Sequence, residues 1–137
     1  MKILVMGLPG SGKTHFSARL SQHLKCAWFN ADEIRKMAND WNFTDEGRIR
    51  QAYRMKNLAD FESDLGNTVV CDFVCPTVET REIFQADLLI WMNTIQEGRF
   101  ADTNAVFSPP AQSDFMVERF LFDSEIQAIA QEISSLS

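Results

Sequence analysis

The sequence contains few residues of the types that build metal centres, disulfide frameworks or membrane spans. It has three cysteines and two histidines, and neither type has the spacing of zinc ligands. Because the cysteine number is odd and two cysteines lie in or beside apolar runs, buried reduced thiols in a reducing compartment are favoured. No stretch reaches the roughly 18 to 20 apolar residues of a membrane span, and no signal peptide precedes the first apolar run. We therefore expect a soluble, cytoplasmic protein with no membrane partner.

Basic residues are also in short supply. The chain has 13 Lys and Arg against 19 Asp and Glu, a formal net charge of −6. It therefore lacks the overall positive field that attracts nucleic acid without regard to sequence. Its length, with 45% hydrophobic residues, suffices for one buried core but not for two ordinary domains. We predict a single domain over residues 1–137, and the composition leaves its oligomeric state open.

What the chain does contain, close to its start, is the phosphate-binding pattern G-x-x-x-x-G-K-[ST] behind an apolar run. The order is strand, glycine loop, helix. Backbone N–H groups of such a loop can surround a polyphosphate, and the positive end of the following helix adds a fixed field. We predict that Lys13 contacts the β- and γ-phosphates of ATP and that Thr14 binds Mg²⁺. The predicted ATP-binding residues are Gly7, Pro9, Gly10, Ser11, Gly12, Lys13 and Thr14.

Apolar runs of strand length alternate with longer segments of helical period along the chain, which is typical of a parallel sheet covered by helices. The predicted strands are 2–6, 27–29, 68–74, 87–92 and one within 114–122. The predicted helices are 13–24, 32–39, 45–65, one that begins at Pro76, and a terminal one. Together with the glycine loop, this order predicts an α/β fold, the three-layer sandwich of P-loop NTPases, with a mostly parallel five-stranded sheet.

Asp32 and Arg35 follow the second predicted strand. Residues just past the carboxyl ends of parallel strands line the ligand crevice, so Asp32 should face the phosphate loop. A carboxylate there can accept the proton of an attacking hydroxyl or hold Mg²⁺ through water. The structural alternative is helix capping by Asn30 or Asp32. Arg35 lies one helical turn further on the same side, where it can bind an anionic part of the acceptor.

A third candidate is Asp72, which ends the hydrophobic run Thr68-Val69-Val70-Cys71. P-loop proteins often place a carboxylate that orients Mg²⁺ at the end of such a strand. Asp72 therefore either binds the metal or has an indirect role, in which it orients the metal-binding residues or has a capping role. The sequence leaves these alternatives open.

The motifs taken together resemble the adenylylsulfate kinase family, which transfers the γ-phosphate of ATP to the 3′-hydroxyl of adenosine 5′-phosphosulfate. The resemblance covers residues 1–84 well and resumes weakly near 103–110. Its motifs are the glycine loop, Asn30-Ala31-Asp32-Glu33-Ile34-Arg35, Asn42-Phe43-Thr44-Asp45-Glu46-Gly47-Arg48, and Val74-Cys75-Pro76 with Arg81. The resemblance implies that Asp32 is the catalytic base or a metal-binding residue. It also implies that the acceptor side consists of Arg35, Phe43, Arg48 and Gln51, with Phe43 stacked on adenine.

The chain departs from that family in three places. Asn30 stands where the family has an Asp, and Gln51 where it has an Asn. The lid, about residues 94–110, is shorter than the family's and keeps only Arg99 of several basic residues. We predict that this guanidinium closes over ATP and stabilises charge on the transferred phosphoryl group, although an ordinary exposed ion pair is the alternative.

Two other functions remain open at this stage. The Asp-x-x-Arg placement also resembles 5′-hydroxyl polynucleotide kinases and small kinases of modified nucleobases, and the basic cluster Arg48, Arg50, Arg54 and Lys56 mildly favours a polymer. The negative net charge argues against one. The shortened lid and Asn30 are also compatible with an inactive nucleotide-binding regulator. The favoured prediction is a kinase that uses MgATP to phosphorylate a hydroxyl of a small nucleotide-like acceptor, most simply adenylylsulfate.

Overall fold

The computed structural model describes residues 1–136 and is built around one five-stranded sheet. Every strand pair is parallel, and the strand order is β2-β3-β1-β4-β5. The strands are β1 (Lys2–Met6), β2 (Ala27–Asn30), β3 (Val69–Asp72), β4 (Leu88–Met92) and β5 (Phe115–Val117). The predicted five-stranded sheet is therefore confirmed. The apolar run that contains β3 forms an interior strand paired on both sides.

Helices cover both faces of this sheet. They are α1 (Lys13–Leu24), α2 (Ala31–Ala38), α3 (Asp45–Asp64), α4 (Val78–Phe84), α5 (Ala101–Val106) and α6 (Asp123–Ser134). Phe16 and Leu20 of α1 pack with Ile126 of α6 in one core. Met55 of α3 and Phe84 of α4 pack in a second core on the opposite face. Two cores separated by a sheet confirm the predicted three-layer sandwich.

Two helix predictions differ from the structure. The fourth helix begins at Val78 rather than at Pro76, because Thr77 and Thr80 cap its first turn reciprocally through side chain and backbone. The short helix α5 lies in a segment that was predicted to be a loop. Among residues 1–136, no helix is both long and apolar enough to cross a membrane.

The parallel sheet brings the candidate residues to one edge. The loop between β1 and α1 carries the glycine motif, Asn30 ends β2 and Asp72 ends β3. In the register of β2 and β3, Asn30 lies opposite Asp72. The carboxyl ends of three neighbouring strands therefore surround one crevice, as expected for ligand sites of open α/β sheets.

Candidate active site

The glycine loop adopts a backbone that its sequence makes accessible. Gly10 and Gly12 have φ values of 88° and 94°, a left-handed region that side chains with a Cβ rarely adopt. Gly12 is the N-cap of α1, and no side chain caps this helix. The leading N–H groups of α1 therefore have no side-chain acceptor, which leaves them available to an anion at the positive end of the helix.

The other predicted ATP-binding residues lie in the same loop. Gly7 and Pro9 lie between the end of β1 and the turn at Gly10. Ser11 is buried, and its Oγ is one of two buried side-chain oxygens within residues 1–136 that have no hydrogen-bond partner. Its carbonyl accepts a hydrogen bond of 2.7 Å from Thr94 Oγ1, which follows β4. The loop is therefore supported from the segment beyond β4.

Lys13 is buried at the start of α1, with 9% of its surface exposed. Its Nζ donates a hydrogen bond of 3.0 Å to the carbonyl oxygen of Leu8, across the loop. Burial lowers the pKa of Lys13 to about 8, and the nearby carboxylates of Asp72 and Asp32 partly oppose this shift. The ammonium group therefore lies inside the loop in an environment that a bound polyphosphate would favour electrostatically.

The carboxylate of Asp72 is almost completely buried behind the loop, with 2% of the residue exposed. Trp28 Nε1 donates a hydrogen bond of 2.5 Å to Asp72 Oδ2, and Asn30 Nδ2 donates to both carboxylate oxygens at 3.2 and 3.3 Å. Burial raises the pKa of Asp72, while these hydrogen bonds and the charge of Lys13 oppose the shift. Asp72 thus belongs to a buried polar network, and its predicted role in metal binding stays a prediction.

Asn30 connects that network to two helices. Its Nδ2 is 3.2 Å from Thr14 Oγ1 on α1, and its Oδ1 accepts a hydrogen bond of 3.1 Å from the backbone N–H of Glu33. Asn30 is therefore the N-cap of α2, so one of the two predicted capping residues has that role.

Asp32 lies in the exposed first turn of α2. Within residues 1–136, no side chain donates a hydrogen bond to the carboxylate of Asp32. The negative charge of this carboxylate raises the pKa of Lys13 and so opposes the effect of burial. The carboxylate therefore lies close enough to the loop to act on its charge and keeps its own acceptor capacity for a ligand. That combination is what a catalytic base or a metal-binding residue requires.

The donor set around the loop fits Mg²⁺. Within the described chain, no three His, Cys, Asp or Glu side chains cluster as a metal-binding group. Magnesium does not need such a cage, because one or two protein oxygens and substrate phosphates usually complete its shell together with water. The hydroxyl of Thr14 and the carboxylates of Asp32 and Asp72 are hard oxygen donors of this kind. Mg²⁺ would bind between them and the phosphates.

On the acceptor side, Arg35 and Arg48 flank the ring of Phe43. Their guanidinium carbons lie 4.3 and 5.9 Å from the ring centroid. Both arginines are buried, and Phe43 is 47% exposed. Arg35 Nη1 donates to the carbonyl oxygens of Asp40 and Asn42 at 3.0 and 3.1 Å, and Arg48 Nε donates to that of Phe43 at 2.7 Å. The two cations therefore hold the loop before α3, and the ring of Phe43 beside them is partly exposed.

Gln51 is also buried and bonded within the protein. Its Nε2 donates a hydrogen bond of 3.0 Å to the carbonyl oxygen of Ala31, and its Oε1 accepts one of 3.3 Å from Arg54. Gln51 thus connects α3 to the first residue of α2, next to Asp32. The roles of these side chains toward an acceptor stay predictions. In the structure, Arg35, Arg48 and Gln51 donate hydrogen bonds to backbone carbonyl oxygens of the protein itself.

The basic residues on α3 form ion pairs with nearby carboxylates. Asp40 accepts hydrogen bonds from Arg50 Nε at 3.1 Å and from Arg54 Nη2 at 2.8 Å, and these bonds hold the pKa of its carboxyl far below the usual range. Lys56 Nζ is 2.5 Å from Asp60. Asp40 is shared by Arg50 and Arg54, and Asp60 by Lys2 and Lys56, so these ion pairs neutralise only part of the positive charge.

The segment predicted as a lid packs across the loop. Asn104 fixes Gly98 through two hydrogen bonds, of 2.8 and 2.9 Å, and Arg48 Nη2 donates to Thr103 Oγ1 at 3.2 Å. Arg99 is exposed, with its guanidinium 5.2 Å from the ring of Phe100. Its contact with a phosphoryl group stays a prediction, because no contact in this structure joins Arg99 to the glycine loop.

A cavity of about 310 Å³ opens beside Thr14. Asn30 and Glu33 are the polar residues of its other walls. Four aromatic or aliphatic side chains complete the lining: Trp28, Phe29, Ile34 and Met37. The cavity has no basic residue and lies next to the hydroxyl predicted to bind Mg²⁺.

Sequence reasoning missed two members of this site. The sequence predicts Trp28 only as a residue of the core or the crevice wall, without its hydrogen bond to Asp72, and predicts Asn30 only as a cap and as a departure from the resembling family. Part of this arrangement is visible in the sequence, because Trp28 and Asn30 occupy alternate positions of β2 and Asp72 ends the neighbouring strand β3. The contact between the two strands follows only from their parallel register, which places Asn30 opposite Asp72.

Comparisons with known proteins agree with this geometry. A family model described as an AAA domain matches residues 3–100. A probable adenylyl-sulfate kinase of Aeropyrum pernix is 30% identical over 90 residues, which are 59% of this chain and 48% of that protein. The chain therefore spans about half the length of that curated relative.

Solved structures extend the likeness in fold to nearly the whole chain. The APS kinase of Mycobacterium tuberculosis, in complex with AMPPNP and APS, superposes with a TM-score of 0.80 at 18% identity and covers 98% of this chain and 95% of its own. Shikimate kinase of Aquifex aeolicus gives a TM-score of 0.68 at 15% identity, with 100% and 99% covered. Both likenesses concern the fold. With its family model matched over residues 3–100, the chain belongs to the AAA domain family and has the P-loop kinase fold of adenylylsulfate and shikimate kinases.

Proposed function

We propose that the protein is an ATP-dependent kinase that transfers the γ-phosphate to a hydroxyl of a small nucleotide-like acceptor, with adenylylsulfate as the first candidate. The observation that carries the proposal is the relation between Lys13 and Asp32. A buried ammonium group lies inside a complete phosphate loop, and an exposed carboxylate that has no hydrogen-bond partner within residues 1–136 follows β2 at the same edge of the sheet. One group can hold the transferable phosphate while the other accepts the proton of the attacking hydroxyl.

Each residue of the loop contributes to placing the phosphates. The amides that begin α1 and the ammonium of Lys13 would neutralise the phosphate oxygens, and Thr14 would hold Mg²⁺ together with Asp32 or Asp72. When bound, Mg²⁺ supplies charge neutralisation between the phosphates. Arg99 would approach the transferred group if the segment 94–110 closes as a lid. Phosphoryl transfer depends mainly on such in-line placement and charge neutralisation, because the transition state needs little covalent assistance.

The acceptor would bind between α2 and the loop before α3. The ring of Phe43, which is 47% exposed and lies close to Arg35 and Arg48, offers an apolar surface to a planar base. The cavity beside Thr14 adds aromatic and aliphatic walls close to the transferable phosphate. The likeness in fold to a kinase solved with AMPPNP and APS supports a nucleotide-like acceptor. The likeness to shikimate kinase is the reason for testing other small alcohols as well.

The proposal is tested by incubating the protein with γ-³²P-ATP, Mg²⁺ and separate acceptors. The acceptors are adenylylsulfate, unmodified and base-modified nucleosides, shikimate and 5′-hydroxyl oligonucleotides. Label in the 3′-phosphorylated product of adenylylsulfate supports the proposal in full, and label in another small alcohol supports the reaction but corrects the acceptor. Label in the oligonucleotide would replace it with a polynucleotide kinase. Normal ATP binding without any labelled acceptor would indicate an inactive nucleotide-binding regulator.

A further inference from the structure

Asn30 makes three kinds of contact at the end of β2. Its Nδ2 donates to Thr14 Oγ1 at 3.2 Å and to the two carboxylate oxygens of Asp72 at 3.2 and 3.3 Å. Its Oδ1 accepts a hydrogen bond of 3.1 Å from the N–H of Glu33. A single side chain thus contacts α1, β3 and α2, which are the three elements that carry the candidate oxygen ligands.

The chemistry of these contacts requires an amide. The N–H of Glu33 needs an acceptor, whereas the buried carboxyl oxygens of Asp72 need a donor, and Asn offers both on one rigid group. An Asp at position 30 would keep the cap but oppose the carboxylate of Asp72 at hydrogen-bond distance. A Ser would keep the cap but is too short to reach Thr14 and Asp72 together. Trp28 holds Asp72 from its other side.

We propose that Asn30 is a positioning residue that fixes the hydroxyl of Thr14 and the first turn of α2 at one spacing around the metal-bound nucleotide. This inference rests on the nucleotide-binding part of the proposed function. Within residues 1–136, Asn30 is the one side chain that forms a hydrogen bond with Thr14 Oγ1. The donated hydrogen bond occupies one lone pair of Thr14 and leaves the other free for Mg²⁺. The cap fixes the turn that carries Asp32.

The test compares Asn30→Ser with the wild type in two measurements that need no acceptor. Calorimetry measures the affinity for ATP in EDTA and in Mg²⁺. The ratio of the second affinity to the first is the metal-dependent gain in affinity. We expect Asn30→Ser to reduce that gain about 5- to 10-fold, the size of one or two lost hydrogen bonds, while the affinity in EDTA stays within about twofold. In nuclear magnetic resonance spectra without nucleotide, the Glu33 amide should keep its position and the Trp28 indole signal should shift.

Thr44→Ser is the matched control. Thr44 caps α3 through a hydrogen bond of 3.3 Å from the N–H of Gly47, and Ser preserves such a cap. The metal-dependent gain in affinity should therefore be unchanged in this variant. A purely structural role of Asn30 as a cap would make Asn30→Ser behave like this control, which would overturn the proposal.

A charge exchange provides a second, independent test. Asn30→Asp should reduce both the melting temperature and the metal-dependent gain, because two carboxylates then face each other. Adding Asp72→Asn restores one amide and one carboxylate in reversed positions, and we expect at least half of the lost gain to return. No recovery in a folded double variant would contradict the inferred pairing.

The two proposals can fail separately. Metal-dependent ATP binding that changes as expected, without any labelled acceptor, would contradict the proposed kinase reaction and leave the role of Asn30 intact. A full metal-dependent gain in Asn30→Ser, in a protein that phosphorylates an acceptor, would contradict the role of Asn30 alone. If the wild type does not bind ATP, both proposals are wrong.

Discussion

The guanidinium of Arg48 on α3 donates a hydrogen bond to Thr103 Oγ1 on α5 at 3.2 Å, and both side chains are buried. The sequence positions of the two residues are 55 apart. Together with the hydrogen bond from Thr94 to the carbonyl oxygen of Ser11, this contact attaches the segment between β4 and β5 near its start and at its middle. The segment therefore bridges the phosphate loop and the helix that carries the predicted acceptor residues.

Replacing Thr103 by Val should loosen this segment, because Val has the same shape but cannot accept the hydrogen bond from Arg48. The loss of about 1 kcal/mol corresponds to about fivefold more frequent local opening. We expect faster hydrogen exchange of the amides in α5 with little change elsewhere. Asp102→Asn is the control, since Asp102 is exposed and its carboxylate lies 3.7 Å from Arg48. Equal exchange in Thr103→Val and wild type would show that the contact does not hold the segment.

Lys13→Ala should remove most nucleotide binding and leave the fold intact. In the described part of the chain, residues 1–136, the ammonium of Lys13 has one hydrogen bond, to the carbonyl oxygen of Leu8, and its burial costs solvation. We expect the affinity for MgATP to fall about 10- to 100-fold, as for a lost charge-assisted contact, while the melting temperature stays equal or rises. Calorimetry and thermal unfolding measure the two effects. Lys36→Ala, on the exposed part of α2, should change neither, and unaltered MgATP affinity in Lys13→Ala would contradict the predicted loop function.

Asp32→Asn should abolish transfer without loss of ATP binding. A lost general base reduces turnover by about 100- to 10,000-fold, whereas affinity for ATP should stay within about threefold, because the loop is untouched. The measurement is the rate of label transfer to the acceptor identified above. Asp45→Asn, the same change in the exposed first turn of α3, should retain wild-type turnover. Normal turnover in Asp32→Asn would remove this residue from the catalytic assignment.

Asp60 should make acid stability depend on one ion-pair network. Its carboxylate accepts hydrogen bonds from Lys2 at 2.8 Å and from Lys56 at 2.5 Å, which hold the pKa of Asp60 below its usual value of 3.8. A carboxyl group with a lowered folded-state pKa stabilises the protein fully above its unfolded-state value and loses that contribution as the pH falls toward the folded-state value. We therefore expect Asp60→Asn to reduce the free energy of unfolding at pH 6.

The size of that reduction should depend on pH. At pH 6, Lys2 is buried and would lose its carboxylate partner, which costs about 1 to 3 kcal/mol. Below about pH 4 the difference between wild type and variant should shrink, since Asp60 of the wild type takes up a proton first in the unfolded chain and, at lower pH, in the folded protein. Urea unfolding at several pH values measures this, with Asp64→Asn as an exposed control. A difference that stays constant from pH 6 to pH 2.5 would contradict the assignment.

Much of the fold was predictable because local signals and tertiary structure agree. The run Lys2–Met6, the glycine loop and the spacing of Phe16 and Leu20 all indicate the same strand, turn and helix. Helix α5 was missed for the opposite reason. It has only six residues and carries Thr103, whose hydrogen bond with Arg48 comes from a distant part of the chain. A segment stabilised by such contacts leaves little periodic pattern in the sequence.

The candidate site was predictable in its ligand chemistry but not in its internal bonding. The proposed roles of the loop, Lys13 and Asp32 come from the motif itself and stay predictions. Arg35 was expected to face an anionic acceptor, and in the structure it donates to two carbonyl oxygens of the loop that follows α2. These carbonyl oxygens need donors because of the path that the backbone takes after α2, and the residue pattern does not predict that path. The contact of Asn30 with Asp72 likewise depends on strand register.

The most direct test of the central claim is a crystal structure of the protein with AMPPNP and Mg²⁺ at saturating concentration. The account predicts that the phosphates lie within the loop formed by residues 7–14, that Lys13 contacts the β- and γ-phosphates, and that the γ-phosphate faces Asp32. A nucleotide bound elsewhere, or a γ-phosphate directed away from Asp32, would contradict it.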